Sequence, residues 1–375
     1  MQPLDTTDRR ILDLIQRHFP LVARPFKLIA ERAATTEADV IQRLARLKQA
    51  GLVREICAVF DAERLGYRST LAAMAVEPTR LDEVAAIVSA HPGVSHNYER
   101  THEFNLWFTL TVAAERSIER EIGRLVHDAQ VVDFLILPAI RRFKIGVDFD
   151  LGTRGGEDGS GVWGMGYGVG EQELPLRTQH SGLSNQDSTI RDQGSGISSS
   201  RSEIQNPKSK IENRKSKIAS GREGNVVRVL QYDFPLEPRP FERLAGGIGM
   251  HEEELLAITK RFLATGTMRR IGAILHHRHV GYLANAMVCW ALPADRIEQA
   301  GQKAARERAI SHCYQRPAFP PRWPYNLMTM IHGRSEEQVR EVVGRLRSKL
   351  QPIDCAILFS RREFKKQRVH YFEEK

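Results

Sequence analysis

The chain states one pattern twice, and this limits what it can fold into more than any other feature. His18-Phe19-Pro20-Leu21-Val22-Ala23-Arg24-Pro25-Phe26 returns as Asp233-Phe234-Pro235-Leu236-Glu237-Pro238-Arg239-Pro240-Phe241. Gly51, Arg54 and the pair Gly66-Tyr67 return in the same register at Gly266, Arg269 and Gly281-Tyr282. Ser95-His96-Asn97-Tyr98-Glu99-Arg100 comes back as Ser311-His312-Cys313-Tyr314-Gln315-Arg316. A repeat this long is two copies of one folded unit, not a solenoid of short repeats. Outside their apolar positions the copies share His, Tyr and Arg, and shared polar residues point towards a site.

Between the copies, over residues 151–225, the composition changes abruptly. Gly155-Gly156, Gly159-Ser160-Gly161 and Gly194-Ser195-Gly196 sit among Ser, Gln and Asn, and Lys208-Ser209-Lys210-Ile211 recurs as Lys215-Ser216-Lys217-Ile218. Such a stretch buries too little apolar surface to offset its ordering entropy, so it reads as a flexible, low-complexity linker. The basic run Lys208 to Lys217 can touch nucleic acid, but a solvated linker is the favoured reading. It keeps the copies at high effective concentration, as a fused heterodimer requires.

Each copy has about 150 residues, enough for a real core. No apolar run is long enough to span a bilayer. Met1 to Arg10 carries Asp5 and Asp8 and no apolar signal region, so export is not expected. Cys57, Cys289, Cys313 and Cys355 are scattered without Cys-x-x-Cys spacing. That argues against a zinc site or a disulfide framework and suits a reducing cytoplasm. The net charge of +9 implies an anionic partner, whether nucleic acid or a polycarboxylate.

The first part of copy 1 (residues 1–62) reads as a winged helix-turn-helix. Asp5 to Arg17 carries Ile11, Leu12 and Ile15 at helical spacing, and Phe26 to Ala33 makes a short second helix. Thr36 is a good N-cap for a third helix with Val40, Ile41, Leu44 and Leu47 as its stripe, ending at Gly51 in a left-handed cap. Leu52 to Phe60 alternates as a strand, and residues 226–277 repeat the arrangement. Such a unit suggests DNA, but its third helix opens with Glu37-Ala38-Asp39 in one copy and Glu252-Glu253-Glu254 in the other. Acidic groups suit the helix dipole and repel the phosphates that supply most DNA affinity. DNA binding is therefore not expected.

The second part of each copy (63–150 and 278–375) reads as a ferredoxin-like βαββαβ unit. In copy 1 the strands are Ser69 to Val76, Val94 to Arg100, Phe104 to Val112 and Val131 to Leu137, with helices Leu81 to Ala90 and Ile118 to His127. The order recurs from Ala284 to Leu358. The expected fold class is α+β: two tandem winged-helix plus ferredoxin-like units.

On these elements, each copy resembles the Lrp/AsnC regulators. His96-Asn97-Tyr98-Glu99-Arg100 with Phe104-Asn105-Leu106-Trp107-Phe108-Thr109 resembles the siroheme decarboxylases derived from that family. His312-Cys313-Tyr314-Gln315-Arg316-Pro317 with Trp323-Pro324-Tyr325-Asn326-Leu327 resembles the partner subunit of the same enzyme. The regulators carry a Gly-x-x-Asp turn in this hairpin. Here His102-Glu103-Phe104-Asn105 stands instead, with a longer proline-rich version, Pro317 to Pro324, in copy 2.

The resemblance implies loss of CO2 from two acetate side chains of siroheme, giving didecarboxysiroheme. It implies His96 and His312 as catalytic residues. The implied substrate-binding residues are Tyr98, Arg100, Asn105 and Arg142, with Tyr314, Arg316, Trp323, Tyr325, Asn326 and Arg362. Arg suits a tetrapyrrole polycarboxylate through bidentate contacts, and His suits protonation of the carbon that loses CO2. The macrocycle is the electron sink, so no cofactor is expected beyond the iron of the substrate, and no protein-bound metal.

Each residue also has a plainer reading. The histidines can be ordinary strand residues, and Tyr98 and Tyr314 can simply pack. For Trp107 core packing is favoured. Arg141, Arg142 and Lys144, matched with Arg361, Arg362 and Lys365, can be carboxylate ligands or a basic rim. His102 and His332 lack a counterpart and are candidates for an iron ligand. Two other functions stay open at this point: an effector-responsive DNA-binding regulator and a haem-binding sensor.

Overall fold

The computed structural model describes residues 4–17, 19–145, 221–275 and 283–373. Met1–Gly156 and Lys215–Lys375 form one compact unit, so both copies belong to a single body. His18, the pair Gly281-Tyr282 and the linker up to residue 220 lie outside the described residues. The end of the expected linker is helical: α6 starts at Arg222.

In copy 1, α1 (Thr6–Arg17), α2 (Pro25–Ala33) and α3 (Glu37–Gln49) precede strand β1 (Val53–Phe60). Pro25 opens α2, where its missing N–H costs nothing. The Thr36 hydroxyl accepts from the Asp39 amide at 3.2 Å and caps α3, and Gly51 leaves that helix at φ +69°. In copy 2, α6 (Arg222–Leu230), α7 (Pro240–Gly246), α8 (Glu252–Ala264) and β7 (Met268–Leu275) repeat the pattern, and Gly266 adopts φ +70°.

The two winged-helix units are interlocked. β1 and β7 pair antiparallel as a two-stranded ribbon, one strand from each copy. The Phe19 amide donates to Ile271 O of the other copy's wing at 3.2 Å, and the Phe234 amide donates to Ile56 O at 2.8 Å. Gly272 lies so close to α1 that a Cβ there would stand 2.7 Å from Ile15 O, so only glycine fits. One apolar core spans both units, including Ile11, Leu12, Phe26 and Leu44 with Val226, Phe234, Phe241 and Leu255.

The remaining elements of copy 1 are β2 (Tyr67–Met74), α4 (Leu81–Ala90), β3 (Val94–Arg100), β4 (Leu106–Ala113), α5 (Ile118–Asp128), β5 (Phe134–Pro138) and β6 (Arg141–Ile145). Those of copy 2 are β8 (Ala284–Ala291), α9 (Ile297–Ala305), β9 (Ile310–Gln315), β10 (Leu327–Gly333), α10 (Glu336–Leu350) and β11 (Asp354–Lys366). The strands form one ladder in the order β5-β2-β4-β3-β11-β8-β10-β9-β6. The two ends of β11 serve different copies: Asp354 to Phe359 pairs with β8, and Ser360 to Lys366 pairs with β3. Copy 1 reciprocates when β6 pairs with β9. A single core joins Ala73, Trp107, Leu135 and Leu137 to Met287, Cys289, Met328 and Leu358, so the two sheet halves pack against each other.

This crossing departs from the sequence expectation, which ends the last strands at Leu137 and Leu358. The basic segments beyond those points read as rim because their period is hidden by charge. Each has an outer face that meets solvent and a neighbour in the other copy, which no pattern within one copy reveals.

Candidate functional site

β3 and β9 carry the repeated motif, and alternate residues of a strand face one way. Asn97 faces the helices, where its amide donates to Ala85 O at 3.1 Å. His96, Tyr98 and Arg100 share the opposite face. The rings of His96 and Tyr98 lie parallel at 6.2 Å, and the Arg100 guanidinium sits over Tyr98 at 5.4 Å. Copy 2 reproduces the ladder: His312 and Tyr314 at 6.2 Å, Arg316 over Tyr314 at 4.9 Å. In each, a serine hydroxyl meets the histidine Nδ1 at 2.9 Å, Ser95 for His96 and Ser311 for His312. Neither histidine Nε2 has a hydrogen-bond partner among the described residues.

Burial pushes His96 down to about 4, and Lys366, His312, Arg54 and Arg100 push the same way. His312 is likewise held at about 4, first by burial and then by Arg269, Arg316 and Lys144. The unliganded protein thus keeps both imidazoles neutral at pH 7, rather than titrating near neutrality as expected from the residue type. Burial is the larger cause and the nearby cations add to it, a part that an anionic ligand would offset.

The two ladder arginines do more than line a face. Arg100 Nη1 donates to Leu358 O at 3.2 Å and to Ser360 Oγ at 2.9 Å. Arg316 Nη1 donates to Leu137 O. Arg100 therefore holds β11 where it passes from β8 to β3, and Arg316 holds the end of β5 just before the chain continues into β6. Arg100 Nε is buried without a hydrogen-bond partner among the described residues. Both guanidinium groups are pulled down to about 10 by burial, which leaves them charged.

The wing ribbon supplies cations that the sequence reading left without a role. Arg54, on β1, acts on His96 and donates to Lys366 O at 3.0 Å. Its counterpart Arg269, on β7, acts on His312 and binds Asp61 at 2.8 Å. The register-perfect repeat of Arg54 at Arg269 was the available signal.

The basic segments of the two copies pair in a register that differs from their match in sequence. Arg142 stands opposite Tyr314, Lys144 opposite Cys313 and Ile145 opposite His312. In the other half Arg362 stands opposite Glu99, Glu363 opposite Tyr98, Lys365 opposite Asn97 and Lys366 opposite His96. Arg362 is therefore the counterpart of Arg141, not of Arg142, whose counterpart is Glu363. Arg362 is tied to Asp82 at 2.7 Å and to Glu99 on the outer surface, away from the ladder face. Arg142 joins Asp61 at 3.3 Å and Glu63 at 2.9 Å.

Four expected ligand contacts are taken up by the fold. Asn105 clamps Val76 by donating to its carbonyl at 2.7 Å and accepting from its amide at 3.0 Å. Asn326 clamps Leu292 in the same way. Trp323 is fully buried against Trp107 at 5.3 Å and Tyr325 at 5.0 Å, leaving no ring face for a macrocycle. The Tyr325 hydroxyl donates to Asp354 at 2.9 Å. As for the candidate iron ligands, His102 Nδ1 accepts from the Phe104 amide at 3.0 Å within its hairpin. His332 Nε2 meets Ser311 Oγ at 2.9 Å, which links it to the His312 ladder.

The AsnC-like ligand binding domain matches residues 64–144 and 279–365. The siroheme decarboxylase NirDL-like HTH domain matches residues 8–54 and 223–269. A siroheme decarboxylase of Hydrogenobacter thermophilus is 36% identical over 366 residues, which cover 97% of this chain and 95% of that protein. A siroheme decarboxylase beta subunit of Oleidesulfovibrio alaskensis is 40% identical over 150 residues, 40% of this chain and 95% of its own length. The crystal structure of the siroheme decarboxylase NirDL in co-complex with an iron-uroporphyrin III analogue is 31% identical and covers 98% of this chain and 95% of its own, with a TM-score of 0.65. With two copies that each carry both matched domains, the chain belongs to the siroheme decarboxylase family as a fusion of two related halves.

Proposed function

We propose that the chain decarboxylates siroheme, releasing the carboxyl groups of two acetate side chains as CO2 to give didecarboxysiroheme in tetrapyrrole biosynthesis. The carrying observation is the paired His-Tyr-Arg ladder, with neither Nε2 hydrogen-bonded among the described residues and cations near each histidine, in a chain that aligns with siroheme decarboxylases over 97% of its length. The relative solved with an iron-uroporphyrin III analogue supports a tetrapyrrole as the ligand.

Arg54, Arg269, Arg142 and Lys366 form the electropositive surround that attracts a polycarboxylate. When the acetate C–C bond breaks, the electron pair stays on the methylene carbon and spreads into the macrocycle. A proton delivered to that carbon leaves a methyl group. His96 and His312 are the proton donors in this reading. The substrate's carboxylates raise their pKa from about 4, so the proton is taken up as the substrate binds. No cofactor takes part beyond the iron that siroheme carries. The four free cysteines support a reducing, cytoplasmic setting, and among the described residues no helix is long and apolar enough to cross a membrane.

Purified protein mixed anaerobically with siroheme should yield a product lighter by two molecules of CO2. Siroheme recovered unchanged, together with tight promoter binding in a mobility-shift assay, would favour a regulator instead.

A further inference from the structure

Glu363 and Arg142 hold the same position in the two halves and carry opposite charges. Each faces a ladder tyrosine across the strand that crosses from the other copy: Glu363 faces Tyr98, and Arg142 faces Tyr314. The Tyr98 hydroxyl donates to Glu363 Oε2 at 3.2 Å, and Lys366 lies 4.0 Å from the same carboxylate. That hydroxyl is already committed. The Tyr314 hydroxyl has no hydrogen bond among the described residues, and its surroundings include Arg316, Arg269, Arg142 and Asp61.

We infer that the two ladders do different jobs: the Tyr314 hydroxyl, flanked by Arg142 and Arg269, receives a carboxylate of the tetrapyrrole, and Glu363 keeps Tyr98 out of ligand contact. The identity of the tetrapyrrole rests on the function proposed above. Asp61 bridges Arg269 at 2.8 Å and Arg142 at 3.3 Å. Glu63, which is more exposed, also pairs with Arg142 at 2.9 Å, and Arg316 lies over the Tyr314 ring at 4.9 Å, so three guanidinium groups held in place against two carboxylates leave the cluster positive, which is preorganisation for an anion. Burial keeps Tyr314 a phenol by raising its pKa, so it stays a donor. A ligand carboxylate arriving at Tyr98 would instead meet Glu363, and like charges brought together are strongly disfavoured. A near-symmetric fold thus offers an asymmetric ligand one preferred orientation, through one attractive and one repulsive position.

The test is the affinity of the intact protein for iron-uroporphyrin III, followed by absorbance titration. Tyr314→Phe should weaken binding roughly ten- to a hundred-fold, and Tyr98→Phe by less than about three-fold, as loss of a hydrogen bond to a charged group predicts. Arg142→Glu rebuilds at Tyr314 the arrangement seen at Tyr98 and should cost about a hundred-fold or more. Arg142 is partly exposed and on an edge strand, so this variant should fold even if Tyr314→Phe does not; circular dichroism checks both. Equal losses from the two tyrosine variants, or wild-type affinity in Arg142→Glu, would overturn the assignment. Binding is read without turnover. A wild-type protein that binds the analogue but leaves siroheme intact would therefore sink the decarboxylase reading and leave this one standing.

Discussion

Phe19 of one copy and Phe234 of the other meet edge to face, with ring centroids 5.5 Å apart. Phe26 packs on the first at 5.5 Å and Phe241 on the second at 5.4 Å. The proline-framed motif that repeats in the sequence is thus the seam between the copies. With β1 and β7 paired across the same seam, each winged-helix unit lacks part of its core until the other arrives.

Phe234→Ala should therefore cost about 3–5 kcal/mol, the usual range for emptying a buried aromatic site, although Phe234 belongs to one copy only. Thermal melting should show a single transition moving down as a whole. Two transitions, one unshifted, would mean that the copies fold independently.

The same seam predicts what a cut between Gly194 and Ser200 does. Halves expressed together should co-purify and keep most activity, because the β1–β7 ribbon and the shared apolar cores join residues on either side of the cut. Either half alone should be poorly soluble, since an apolar face and an unpaired wing strand are left open. A co-purifying but inactive pair would show that the linker does more than connect.

The histidines give a pH dependence with a definite sign. Their folded pKa of about 4 lies below the unfolded 6.5, so the unfolded chain takes up protons first. Their contribution to stability is complete above about pH 6.5 and is lost as pH falls towards 4, by up to about 3 kcal/mol each. Urea midpoints of the wild type and of a His96→Gln, His312→Gln double variant should converge in this window as pH drops. Binding has the opposite trend: ligand carboxylates raise the pKa, so binding takes up protons and weakens as pH rises. Calorimetry in buffers of different ionisation enthalpy measures that uptake directly. Parallel stability curves for the two proteins would remove the histidines from the effect.

Much of this was legible in the sequence, for local reasons. α4 (Leu81–Ala90) and β3 (Val94–Arg100) have the expected bounds because their apolar period and their own termini define them. The α3 cap at Thr36 and the exit at Gly51 follow from residue chemistry. What escaped depends on partners far along the chain. β6 and the second half of β11 are strands only because the other copy offers β9 and β3 as neighbours. The site shows the same split. The repeated His, Tyr and Arg were visible as shared polar residues, while Asp61 and Glu363, which distinguish the two halves, come from outside the motif. Trp323, expected to bind substrate, is instead buried in a core assembled from both sheet halves.

Weak DNA binding follows from the third helices. Arg24 pairs with Glu37 and Arg239 with Glu252, one pair per copy, so the basic residue beside each helix start is already neutralised by the acid it faces. The wing strands are committed to each other as β1 and β7. Affinity for random duplex DNA should be micromolar or weaker at physiological salt, in the range of nonspecific contacts. Replacing Glu252, Glu253 and Glu254 with Gln should leave turnover intact. Nanomolar, sequence-selective binding by the wild type would restore a regulatory role.

The last prediction separates the two histidines from the ladder that holds them. If an open Nε2 delivers the proton, His96→Ala or His312→Ala should slow decarboxylation by roughly two to four orders of magnitude. The cations around them remain, so affinity for iron-uroporphyrin III should change little. A residue that mattered only for packing would show the reverse, with affinity and melting temperature falling alongside turnover. The two variants need not be equal. His332 reaches His312 through Ser311 at 2.9 Å, whereas in copy 1 Ser69 and Thr111 share a hydrogen bond at 2.8 Å and no second histidine joins His96 and Ser95 among the described residues. If that relay supplies protons to His312, His332→Gln should slow turnover in the wild type and have no further effect in His312→Ala. Wild-type rates in both single alanine variants would take these residues out of the chemistry.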